Sequence, residues 1–108
     1  MDSRVNAVID LMRQSIGGRL SIGALSRSVN LSPTRLRQLF NAETGLSPMR
    51  YLRDLRMKHA EQLLRTTFLS VKEVAFVSGM NDVSSFVRDF KRRQGVTPRK
   101  FRARSERH

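Results

Sequence analysis

Apolar residues recur along this chain at helical spacing, and no segment alternates convincingly as a strand would. Val5, Val8, Ile9, Met12 and Ile16 form one stripe of a first helix, which Gly17-Gly18 is expected to end. Ser21 caps a short helix carrying Ile22, Ala24, Leu25 and Val29, and Asn30 follows as a residue tolerant of left-handed backbone. Ser32-Pro33 restarts the chain with an N-cap and a first-turn proline. Leu36, Leu39 and Phe40 face inward on that helix, and Gly45 stops it. Ser47-Pro48 opens a longer helix to about Arg65, with Leu52, Leu55, Ala60, Leu63 and Leu64 apolar.

The second half repeats the first. Leu69-Ser70-Val71 echoes Leu20-Ser21-Ile22 at an offset of 49. Ser70 with Glu73 predicts a capping box, and Val71, Val74, Ala75 and Val77 a short helix. Gly79 holds the turn slot of Asn30, and both residue types accept positive φ. One residue is then added, so at an offset of 50 Leu36 answers to Phe86, Phe40 to Phe90, Gly45 to Gly95 and Pro48 to Pro98. The duplication implies an all-α chain of two helix-turn-helix units, 4–46 and 67–106, joined by a linker helix at 47–66. A helix of about 18 residues spans roughly 27 Å, near the roughly 34 Å between successive major-groove faces. Two hairpins packed into one bundle would show the same periodicity, so charge has to separate the readings.

The chain has 108 residues, with 21 Lys+Arg against 9 Asp+Glu and a formal charge of +12. Such an excess repels itself unless a polyanion is near, which points to nucleic acid or an anionic surface. Hydrophobic content of 39% is too high for a disordered basic tail. The sequence holds no cysteine, which fits a reducing compartment. No apolar run approaches a membrane span and no signal pattern opens the chain. The expected setting is cytoplasmic and nucleoid-associated, with no membrane partner.

In a helix-turn-helix the second helix lies in the major groove. Its solvent-side positions in the first unit are Thr34, Arg35, Arg37 and Gln38, and Arg and Gln read guanine and adenine bidentately. An ordinary exposed helix face also carries such residues. The second unit offers Val83, Ser84, Ser85, Val87 and Arg88, a less basic set from which less discrimination is expected. Val87 also fits the rim of a core.

Residues 88–108 hold nine basic side chains (Arg88, Lys91, Arg92, Arg93, Arg99, Lys100, Arg102, Arg104 and Arg107) against Asp89 and Glu106. A salt-bridged face would alternate signs, and an Asp89–Arg93 pair is the main exception. Phosphate contact is expected of Lys91, Arg92, Arg93, Arg99 and Lys100, and of the helix starts at Ser32 and Ser47. Arg53 and Arg56 on the linker helix take no assignment.

Catalysis finds little support. His59 and Glu61 lie two apart, on different faces of a helix, and His108 is terminal. Met12, Met49, Met57 and Met80 fall at helix spacing and are expected in the core. The chain is expected not to be an enzyme and to hold no metal or cofactor. Binding to an acidic protein surface as a helical interaction module, or to a membrane surface, are the rival readings; neither needs a fixed turn before an Arg/Gln face.

The stretch VAFVSGMNDVSSFVRDFKRRQGVTPRKFR resembles the signature of the AraC/XylS family of bacterial transcription regulators. Its frame is Ala after an apolar residue, Gly then a large apolar residue, Ser, Phe-x-Arg-x-Phe-Lys, Gly-x-x-Pro and a closing aromatic-Arg. LSPTRLRQLFNAETGLSP and YLRDLRMKHAEQLL are similar to the family's first helix-turn-helix and linker helix. Together they cover about Val5 to Arg104. The resemblance implies a seven-helix domain that inserts two helices into adjacent major grooves of duplex DNA. Its base-contact positions fall on Thr34, Arg37 and Gln38, and on Val83, Ser84, Ser85, Val87 and Arg88. Met80 stands where the family usually has Phe, and Ser85 where it often has an aromatic residue. Duplex DNA is the expected partner, with RNA polymerase as a further one. Many members carry an added effector-binding or dimerising domain. None is evident here, nor is a small-molecule effector site, so the chain reads as a stand-alone regulator or as the DNA-binding part of a larger one.

Overall fold

The computed structural model describes residues 1–106, so Arg107 and His108 lie outside the described residues. Among these residues there are seven helices and no strand: α1 (Ser3–Gln14), α2 (Ile22–Ser28), α3 (Pro33–Thr44), α4 (Pro48–Thr66), α5 (Val71–Val77), α6 (Val83–Gln94) and α7 (Pro98–Ser105). The chain divides into two compact units, Met1–Leu55 and Arg56–His108.

In the first unit Val5, Val8, Ile9 and Met12 of α1 are buried with Leu25, Leu36, Phe40 and Leu52. In the second, Met57, Ala60 and Leu64 of α4 are buried with Val74, Ala75, Phe86 and Phe90. The long helix α4 thus supplies one apolar stripe to each core. An edge-to-face aromatic pair recurs in both: Phe40 on Tyr51 at 5.3 Å and 81°, Phe90 on Phe101 at 5.2 Å and 80°. Such geometry sets the positive edge of one ring against the negative face of the other.

The helix boundaries follow local chemistry. Ser21, Ser32, Ser70 and Thr97 each accept a backbone N–H from the residue three positions on. Ser47 accepts that of Arg50 at 3.3 Å. At Ser70 the bond is returned, because the Glu73 carboxylate accepts the Ser70 N–H at 2.9 Å. That bond holds the Glu73 carboxyl below its ordinary pKa. Gly45 and Gly95 end α3 and α6 at φ 78 and 77. This left-handed backbone costs glycine little because it has no Cβ.

Two expectations need correction. Helix α1 ends at Gln14 rather than at Gly17-Gly18. Ser15 closes it by donating its N–H to the Leu11 carbonyl, and Ile16 reaches the core from outside the helix. Met49 is 38% exposed, so it is not core, and Val77 ends α5 as expected while lying 42% exposed. Met12 and Met57 are buried, and Met80 packs on the second core from a half-buried position.

Candidate nucleic-acid interface

Each unit carries a tight turn between a short helix and a twelve-residue one. In the first, Asn30 adopts φ 57 and the Leu31 N–H reaches back to the Ser26 carbonyl at 3.0 Å. In the second, Gly79 adopts φ 82 and the Met80 N–H reaches the Ala75 carbonyl at 2.8 Å. Each is the six-to-one closure of a Schellman turn, made possible by one left-handed residue. The repeat is therefore preserved at the level of individual hydrogen bonds.

On α3, Leu36 and Phe40 are buried, Leu39 is half-buried, and Thr34, Arg35, Arg37 and Gln38 are all exposed. The helix's outer face is therefore a polar strip of donors and acceptors. Helix α6 is anchored by buried Phe86 and Phe90, and presents a different face. Ser84 and Arg88 are exposed, while Val83 and Val87 are half-buried and packed on the second core. Ser85 is half-buried and already engaged. Its Oγ donates to Asp82 Oδ2 at 2.9 Å and accepts from Arg88 Nη2 at 3.2 Å. Asp82 is the N-cap of α6, its Oδ1 accepting the Ser84 N–H at 3.0 Å and the Ser85 N–H at 3.4 Å. These bonds, the Ser85 hydroxyl foremost, hold its carboxyl below the ordinary aspartate range. Sequence reasoning did not single out Asp82, although it stands where the repeat puts Ser32.

Of the side chains expected at phosphates, Lys91, Arg92, Arg93, Arg99 and Lys100 are all exposed. Arg92 lies 3.5 Å from Asp89, an exposed pair of small energetic weight. The Ser32 and Ser47 hydroxyls act as caps at exposed helix starts. Arg102, part of the same basic run, is turned to another purpose: its Nε donates to the Leu64 carbonyl at 3.0 Å, near the end of α4. Arg65 covers the Phe101 ring at 4.9 Å, and Gln94 donates to Glu61. Residues 1–55 hold 8 Lys+Arg against 4 Asp+Glu and residues 56–108 hold 13 against 5, so the charge excess is concentrated in the second unit.

Phe68 is fully exposed and Phe76 is 74% exposed, where the first unit has Arg19 and Arg27. The sequence reading did not mark them out. Among the described residues no cluster of three or more His, Cys, Asp or Glu is placed to hold a metal ion. No helix among them is long and apolar enough to cross a membrane.

Two units, each turning tightly from a short helix into a longer one with a polar outer face, define the helix-turn-helix class. The family described as "Helix-turn-helix domain" matches residues 25–104, and the chain belongs to this family in its AraC-type form. The HTH-type transcriptional activator RhaR of Yersinia pseudotuberculosis is 32% identical over 101 residues, 94% of this chain and 35% of that protein. The chain thus spans about a third of the length of the curated relatives it matches. Among solved structures, the C-terminal domain of the two-component response regulator yesN from Fusobacterium nucleatum is 28% identical, with a TM-score of 0.86. That match covers 94% of this chain and 99% of the other. A transcriptional regulator with an AraC-type DNA-binding domain from Chromobacterium violaceum is 27% identical, with a TM-score of 0.87, covering 94% and 91%.

Proposed function

We propose that this chain binds duplex DNA in a sequence-dependent way and regulates transcription from the sites it occupies, with α3 and α6 each lying in a major groove. The observation that carries this reading is the outer face of α3. Thr34, Arg35, Arg37 and Gln38 are exposed together on a helix held by buried Leu36 and Phe40, directly after a tight turn. Packing asks for none of these four, and two of the residue types are those best suited to purine edges. The first turn of α7 adds support. It holds Arg99 and Lys100 and no acidic residue, an arrangement the helix dipole disfavours unless an anion lies close by. The names of the relatives, an activator and a DNA-binding regulator, point the same way.

In this reading Thr34, Arg35, Arg37 and Gln38 read bases from α3, and Arg88 and Ser84 do so from α6. Val83 and Val87 offer at most a methyl contact from the rim of the core. Lys91, Arg92, Arg93, Arg99 and Lys100, with the helix starts at Ser32 and Ser47, grip phosphates. RNA polymerase is the protein partner that goes with regulation, and the nucleoid of the cytoplasm the place.

The test is to recover bound sequences from a random duplex pool, then titrate the recovered site against scrambled DNA. Arg37→Ala is expected to relax discrimination at one base pair by about 1–3 kcal/mol. Equal weakening on recovered and scrambled duplexes would refute base reading by Arg37. Failure to enrich any sequence would refute the wider proposal.

A further inference from the structure

We infer that Asp82 and Ser85 are positioning residues that hold the Arg88 guanidinium on the outer face of α6, and that Ser85 acts through Arg88 rather than on DNA. This rests on the proposed reading of DNA by α6.

Residues 82, 85 and 88 are spaced by three, which places them in one row along the helix. The direction of the bonds along that row is fixed by chemistry. An ionised carboxylate only accepts, a guanidinium only donates, and a hydroxyl has a single proton to give. The Asp82 carboxylate takes the Ser85 proton at 2.9 Å, leaving the Ser85 oxygen to accept from Arg88 Nη2 at 3.2 Å. Reversing either bond would set two acceptors or two donors against each other. Ser85 therefore has no proton left for a base or a phosphate. Arg88 spends one of its N–H groups on Ser85 and keeps the others for a partner.

The first unit shows that the fold does not require this row. At the offset of 50 the corresponding residues are Ser32, Arg35 and Gln38. There the cap makes its backbone bond, from the Arg35 N–H at 3.1 Å, and Ser32 has no second oxygen for a neighbour. A serine cap suffices to start such a helix. The second carboxylate oxygen of Asp82 is the addition, and it is the one bonded to Ser85. Arg92 and Arg93 follow in the last turn of α6, so Arg88 is the one arginine in its first half; restricting its rotamers removes ordering that binding would otherwise require.

The experiment compares Asp82→Ser, Ser85→Ala, Ser85→Thr and Arg88→Ala, alone and combined, on the recovered duplex and on duplexes carrying each single base-pair change. Thermal unfolding of every variant accompanies the titrations. Asp82→Ser keeps the cap that the first unit uses and removes the second oxygen together with the carboxylate charge. Asp82→Ser and Ser85→Ala are each expected to lower discrimination about fivefold at the base pair that Arg88→Ala affects. Ser85→Thr is expected to retain it. In the Arg88→Ala background, neither is expected to lower it further. A Ser85→Ala loss of the same size with Arg88 already removed would mean that Ser85 touches DNA directly, and would overturn the inference. So would an Asp82→Ser variant that discriminates as well as the parent. If Arg88→Ala itself changed nothing while Arg37→Ala did, the failure would lie in the reading role given to α6.

Discussion

Replacing Lys91 by Asn and Arg92 by Ala gives α6 the residues that α3 carries at the same places, Asn41 and Ala42. The exchange suits this backbone, because both helices run into a left-handed glycine, Gly95 at φ 77 and Gly45 at φ 78. Its cost to folding is small. Arg92 pairs with Asp89 at 3.5 Å while its side chain remains 77% exposed, and such a pair contributes at most about 1 kcal/mol. Two charges lost from the last turn of α6 forfeit about 0.3–1 kcal/mol each of interaction with the helix dipole. Binding should respond more. Each phosphate contact contributes about 0.9 to the slope of log affinity against log salt, so two contacts contribute about 1.8. Over the fourfold rise from about 50 to 200 mM salt, the parent then loses about twelvefold more affinity than the double variant. Anisotropy titrations of labelled duplexes across that range measure the slope, with recovered and scrambled sequences side by side. Both should weaken by the same factor. An unchanged slope would remove Lys91 and Arg92 from the phosphate contacts, and a loss confined to the recovered sequence would make them base readers.

Gly45→Ala and Gly95→Ala test the helix stops. A Cβ at either position meets no atom within 4 Å, so the cost is conformational only, about 1–2 kcal/mol for left-handed backbone. A stiffer unfolded chain returns about 0.4–1 kcal/mol. The net is about 1 kcal/mol each by urea denaturation, adding to about 2 in the double variant because the two sites share no partner; a much larger loss would mean unrecognised contacts at the stops. The capping box makes a prediction in pH. The Glu73 carboxyl is held below its ordinary value of 4.5 by bonding to Ser70. Its contribution is therefore present above that value and lost as pH falls through the lower folded-state pKa. Unfolding followed across this acid range should show a steeper loss in the parent than in Glu73→Gln, and superimposable profiles would refute the assignment.

What could be read from the sequence was mostly what is local. Ser21, Ser32 and Ser70 cap because an oxygen on a short side chain reaches the N–H three residues on, wherever the rest of the chain goes. Asn30, Gly45, Gly79 and Gly95 mark turns because few other residues accept their backbone angles. Asp82 escaped because Val83 follows it where a proline follows Ser32, Ser47 and Thr97, so the start of α6 lacks that marker. The end of α1 was misplaced because the Ile16 spacing fits a continued helix, whereas the chain leaves the helix and reaches the same core by another path. The basic run had the same ambiguity at the level of side chains. Arg102 and Arg99 look alike in sequence, yet Arg102 folds back on the Leu64 carbonyl while Arg99 stays in solvent. Ser85 was legible as polar and outward, but its engagement depends on rotamers that spacing does not encode.

The residues that start, stop and bury α3 are Ser32, Gly45, Leu36 and Phe40, and none of them belongs to the exposed strip of Thr34, Arg35, Arg37 and Gln38. Substitutions on the strip should change folding by only about 0.5 kcal/mol or less. Mutational drift there is therefore nearly free of any penalty in foldability, so on the proposed reading of bases by this strip a lineage carrying the domain could change its recognised sequence one base pair at a time. Helix α6 lacks that freedom at Asp82 and Ser85, where cap and outer face share atoms. Of the two copies, the first is the one able to diverge quickly, and the second is the one tied to its present form.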